Sequence, residues 1–136
     1  MMPRLESLLV LWAALLGLCG VATAAAAAHL TNAPSLNAAA LVLLSHSPAM
    51  IAAVAATRGT LVAPLMGRVV VALLACGATL FSADIAYRVF ISTPLFPMAA
   101  PSGGFILILG WGFLALGALA RVIQSSRPRD NETTLG

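Results

Sequence analysis

The sequence predicts an all-α integral membrane protein, a four-helix bundle with both termini cytoplasmic. Three observations predict it. Four apolar runs, Ser7–Ala28, Asn37–Ala56, Val69–Ala83 and Ser102–Ala120, fill most of the chain. The composition is 61% hydrophobic and only 8% charged, with a mean hydropathy of +1.03, where a water-soluble domain carries about a quarter charged residues. The basic residues, all arginine, alternate from loop to loop. A helix needs roughly 20 apolar residues to cross about 30 Å of hydrocarbon, and the first, second and fourth runs contain no charge. Backbone in lipid must satisfy its own hydrogen bonds, which leaves helices or a closed barrel. Barrel strands alternate apolar and polar residues; these runs are continuously apolar and rich in Leu and Ala, so they are helices.

The first helix is expected over about 5–28. Arg4, the stretch Leu8–Gly20 and the small residues Ala22-Thr23-Ala24 have the outline of a cleavable secretory signal. The apolar stretch nevertheless continues unbroken through Ala28, which suits a retained span; cleavage would leave three spans. Gly20, Ala24 and Ala28 recur every fourth residue and offer a close-packing row. The second helix, about 34–57, starts at Pro34 with Thr31 or Asn32 available as a cap. Pro48 inside it should remove one backbone hydrogen bond and kink it near Ser45–Ser47. Gly59 is placed to cap its C-terminus. The third helix, about 65–90, carries a second small row, Ala75, Thr79 and Ala83. Ser92–Gly104, with Pro94, Pro97, Pro101 and the pair Gly103-Gly104, reads as a stiff loop leading into a fourth helix over about 102–123. Residues 124–136 read as a polar cytoplasmic tail. Four spans and short loops leave no room for a soluble catalytic domain.

The net charge is +3, and six of the seven arginines fall on one side of the four-span arrangement: Arg4, Arg58, Arg68, Arg121, Arg127 and Arg129. The alternation fits the positive-inside rule, with both termini cytoplasmic. It does not form the single basic face that nucleic-acid binding would need, despite a pI of 9.7, so the lipid bilayer is the expected partner and nucleic acid is not.

Ionisable groups at membrane depth cost about 2.5–3.5 kcal/mol for a central charge, so each needs a reason. Asp84 and Arg88 are four apart on the third helix, hence on one face and within reach of each other. They make either an ion pair anchoring the outer end of that helix or a site for a proton, ion or anionic solute. His46 falls near the centre of the second helix, beside Ser45, Ser47 and Pro48. It serves as an interhelical packing hydrogen bond or as a proton-relay or ligand-binding group. His29 should cap the first helix at the interface. A metal site of His29, His46 and Asp84 would need three helices converging at one depth, and no metal or cofactor is expected. Cys19 and Cys76 fall in mid-span without ligand spacing and read as small packing residues. Trp12 and Tyr87 suit the aromatic belts, and Trp111 a deeper packing position. No Ser-His-Asp order, phosphate-cradling loop or Cys pair at metal spacing is present, so no catalytic residue is assigned and the protein is expected not to be an enzyme.

Leu80-Phe81-Ser82-Ala83-Asp84, then Leu95 through Gly104 with Pro97, Pro101, Gly103 and Gly104, then Leu109-Gly110-Trp111, together resemble the C-terminal half of the YgdD-like family of small bacterial inner-membrane proteins. That family is grouped with a eukaryotic transmembrane protein and has no assigned function. Ala25–Leu30, with His29, is similar to its GAFGAH segment, and Ser45-His46-Ser47-Pro48-Ala49 to its YHALA segment. Ala stands here for the Gly and Phe of the first segment, and Ser45 for the Tyr of the second. The resemblance implies four helices in a bacterial inner membrane and supplies no activity. Two functions remain in view. One is a structural or accessory protein packing with itself or within a larger membrane complex. The other is a small transporter or channel component using His46, Asp84, Arg88 and His29.

Overall fold

The computed structural model describes residues 2–30 and 33–126. Four helices follow in chain order: α1 Met2–His29, α2 Ser35–Arg58, α3 Pro64–Ile91 and α4 Ala99–Ser125. Their lengths are 28, 24, 28 and 27 residues. At about 1.5 Å per residue even the shortest reaches roughly 36 Å, and all four are long and apolar enough to cross a membrane. The expected caps Thr31 and Asn32, and the tail beyond residue 126 with Arg127 and Arg129, lie outside the described residues.

Packing follows chain order, α1 on α2, α2 on α3 and α3 on α4, with a lesser contact of α1 on α3. The two middle helices are therefore the inner ones. In their most apolar windows 39% and 44% of residues are buried for α2 and α3, against 17% for each of α1 and α4. The core joins Ala13 and Leu16 of α1, Leu43, Met50 and Val54 of α2, Val70, Val71, Leu74 and Ala78 of α3, and Leu107 of α4. Large apolar side chains such as Leu18, Phe105 and Ile108 point outward, which is the normal state of a surface solvated by lipid. Lipid tails are as apolar as the core, so close packing and hydrogen bonds hold these helices together, not hydrophobic burial.

Two boundaries depart from the sequence reading. The α3–α4 loop is shorter than expected, because α4 begins at Ala99 and takes in Pro101, Ser102, Gly103 and Gly104. Pro101 is tolerated because it stands in the first turn, whose amides have no partner inside the helix. Cys19 and Cys76 are exposed, not packed, because their helix faces turn away from the neighbouring helices. At the end of α2, Gly59 is the cap as expected, but the left-handed residue is Thr60, with φ 61°. Leu61 N–H donates to the Ala56 carbonyl and Thr60 N–H to Thr57, the double bond pattern that closes many helices. α2 itself runs unbroken through Pro48.

The expected small-residue rows are mostly off the seams. Of Gly20, Ala24 and Ala28 only Gly20 is buried, and of Ala75, Thr79 and Ala83 only Ala75. The α3–α4 seam is built on other glycines. A Cβ on Gly103 would lie 2.6 Å from the Phe81 backbone nitrogen and 2.9 Å from the Gly77 carbonyl oxygen. Gly110 abuts Leu74, and Gly117 abuts Met66 and Val62. These three glycines recur every seventh residue with Leu107 and Leu114 between them, a heptad stripe that keeps one face of α4 against α3.

Candidate functional site

The polar groups inside the spans fall into separate places. At the C-terminal end of α3, Asp84 is fully buried while the Arg88 side chain is 47% exposed. Arg88 Nε donates to Asp84 Oδ2 at 2.7 Å, the expected pair one helical turn apart. The other carboxylate oxygen does something the sequence did not announce: Oδ1 accepts the backbone N–H of Leu95, in the α3–α4 loop, at 2.8 Å. The backbone N–H of Ala100 also faces the carboxylate.

The first turn of α4 explains this arrangement. Its N-cap residue is Met98, whose side chain makes no capping bond, and the turn contains no acidic residue. Ala99 N–H donates to the Phe96 carbonyl, Pro101 has no N–H, and Ala100 N–H faces Asp84. A carboxylate on α3 thus serves as the cap of α4, where the helix dipole also favours negative charge. The loop between them starts and ends in left-handed residues, Ser92 at φ 63° and Met98 at φ 68°. Asp84 ties its middle back to α3, and nearby Ser82 Oγ donates to the Ala39 carbonyl at 3.2 Å, fastening this end of α3 to α2.

His46 sits elsewhere, halfway along α2. Its Nδ1 lies 2.8 Å from the Val42 carbonyl oxygen and 3.0 Å from Ser45 Oγ. Its Nε2 accepts the indole N–H of Trp111, on α4, at 3.2 Å, and the two rings meet edge to face with centroids 6.1 Å apart. Trp111 is half exposed, a partner for His46 more than a buried packing residue. The serines beside Pro48 are also committed: Ser45 Oγ donates to Val42, and Ser47 Oγ donates across the helix boundary to the Ala13 carbonyl of α1 at 2.7 Å. His29 ends α1 and is exposed.

The structure therefore brings Asp84 and Arg88 together and leaves His46 with other partners. Among the described residues no three His, Cys, Asp or Glu side chains converge as a metal site would require. At the opposite end of the bundle a second ion pair, Glu6 Oε2 with Arg58 Nη2 at 2.6 Å, joins α1 to α2. Next to it, a tight space of only about 10 Å³ lies between Leu9, Val54, Gly67 and Val71, too small for a solute.

Four long apolar helices, with polar side chains engaged in cross-helix bonds, define a small multi-pass α-helical membrane protein. The chain belongs to the family described as "Protein of unknown function (DUF423)", whose model matches residues 23–104. The match takes in His29, His46, Asp84, Arg88, Pro97, Pro101, Gly103 and Gly104, and stops short of Trp111. No curated protein and no solved structure matches the chain.

Proposed function

We propose that this protein is a structural or accessory component of its membrane, packing with further copies of itself or within a larger membrane complex. One observation carries this reading: the intramembrane groups that could handle a solute are spent on hydrogen bonds within and between the helices and their connecting loop. The buried Asp84 carboxylate is divided between Arg88 and Leu95, one oxygen to each. Both ring nitrogens of His46 are occupied, by Val42 and Trp111. Among the described residues no buried side-chain nitrogen or oxygen lacks a partner. A transport site would keep such groups available to an ion and to water.

The arginine alternation supports an orientation with both termini cytoplasmic, and the resemblance of the Leu95–Gly104 segment to the YgdD-like proteins supports a bacterial inner membrane. On this reading the protein is not an enzyme and needs no cofactor. Affinity purification of the full chain in mild detergent tests the proposal. A stoichiometric protein partner, or a mass corresponding to several copies, is the expected result. A monomer whose melting temperature rises with a particular solute would overturn it and return the transporter reading. Reporter fusions at each terminus test the orientation separately.

A further inference from the structure

The two ends of the molecule differ in charge. Arg58, the last residue of α2, meets Glu6 of α1. Gly67, beside Arg68 at the start of α3, abuts Thr57. Gly117, one turn before Arg121 on α4, abuts Val62 and Met66. Arg4, Arg58, Arg68 and Arg121 therefore share one end, and Glu6, the acid described there, is held by Arg58. At the opposite end Asp84 and Arg88 cancel each other. A basic excess at one end of a set of membrane spans stands at the level of the lipid headgroups, where each arginine attracts anionic lipid.

One of these arginines borders a groove. The turn between α2 and α3 and the last turns of α4 line an open space of about 650 Å³ along Thr60, Leu61, Ala118, Arg121, Val122 and Gln124. Leu61 and Val122 are 65% and 60% exposed, so its apolar walls are uncovered. Arg121 is partly buried beside them. Its bond to Gln124 is long, 3.4 Å, and leaves most of the guanidinium donors unused; no described carboxylate pairs with it. On the other wall, Thr60 is held at φ 61°, a strained setting for a β-branched residue, and its hydroxyl bonds no described group. The end of α4 is not a bare negative pole, because the Val122 carbonyl accepts the hydroxyls of Ser125 and Ser126 and the Ser126 N–H. Ala118 lies one turn nearer the middle of the span than Val122, so the cation stands above an aliphatic floor. Arg4 over Leu8 and Leu11 repeats the cation on the face of α1 alone, with no second wall.

We propose that this groove seats an anionic phospholipid. The phosphate rests on the Arg121 guanidinium and the Thr60 hydroxyl, and the first carbons of an acyl chain lie along Leu61, Ala118 and Val122. The planar arginine fork matches phosphate oxygens two at a time, and the apolar walls suit a chain that a free phosphate does not carry. The site does not depend on the accessory role, since it concerns the lipid at α4 and not a protein neighbour.

The test holds the full chain in mild detergent with equal amounts of phosphatidylglycerol and phosphatidylcholine, and native mass spectrometry counts each lipid retained. Phosphatidylglycerol is expected to be retained in preference by about fivefold, less so at high salt, and excess inorganic phosphate should not displace it. Arg121→Gln should abolish the preference. Arg4→Gln removes the same charge from the same end and should keep most of it. Ala118→Leu leaves every charge in place but fills the groove, at an exposed position, and should abolish the preference too. The proposal is overturned if the two lipids are retained equally, if Arg121→Gln and Arg4→Gln lose the same amount, if Ala118→Leu binds as the wild type does, or if inorganic phosphate displaces the lipid.

Discussion

The hairpins α1–α2 and α3–α4 are built from the same apolar residues but held by different devices. In α3–α4 the backbones touch: Gly77 and Gly103 leave no room for a Cβ between them, and a buried carboxylate on α3 caps α4. In α1–α2 the ties are side chains, a buried serine hydroxyl on the Ala13 carbonyl and a largely exposed ion pair at the helix ends. A seam of backbone contacts cannot yield to a larger residue. A seam of side-chain bonds can lose one member and survive.

Substitutions can sharpen or break this contrast. The largest effect is expected from Gly103→Ala, whose single methyl meets the backbone of Phe81 and Gly77. Overpacking against atoms that cannot move away should lower Tm by about 10 °C in a detergent melt. Gly112→Ala is the matched control, with nothing within 4 Å of its Cβ, and should be neutral or slightly stabilising. If both variants melt alike, the glycine seam is not what holds α4. Next comes Asp84→Asn, which keeps the shape but sets an amide NH2 against the Arg88 guanidinium and leaves one carbonyl for two amides. A drop on the order of 5 °C is expected, and an unchanged Tm would mean that the carboxylate is a surface ornament of the helix end.

The α1–α2 side should respond less. Ser47→Ala removes a hydrogen bond whose acceptor, the Ala13 carbonyl, stays within its own helix, and interhelical bonds of this kind are worth about 0.6 kcal/mol. Glu6→Gln should cost least, about 0–0.5 kcal/mol at low salt and less at high salt, because Arg58 is 61% exposed. A larger loss from Glu6→Gln than from Asp84→Asn would reverse the comparison.

The spans, the arginine alternation and the Asp84–Arg88 pair were legible in the sequence because each rests on local spacing: apolar run length, charge per loop, and two residues one turn apart. What joins distant parts of the chain was not. Asp84 as the cap of α4 depends on how a loop of two prolines returns to α3. The sequence reading instead placed Pro101 and Gly103-Gly104 in that loop, since a proline and a glycine pair are stronger signals of irregular backbone than of a first helical turn. The Ser47 bond to α1 and the His46 bond to Trp111 need the relative rotation of helices, which nearly uniform apolar faces do not encode. The seven-residue recurrence of Gly103, Gly110 and Gly117 was present to be read, and it points at α3 more firmly than the alanine rows do.

Hydrogen exchange of the α3–α4 segment, measured on peptides covering Leu95 and Ala100 in the wild-type protein and in Asp84→Asn, tests most directly whether the buried charge is an architectural fastening. The structure predicts that both amides are protected in the wild type and lose protection in the variant, while the α1–α2 hairpin exchanges as before. Rapid exchange at both amides in the wild type, or protection unchanged by the substitution, would contradict it.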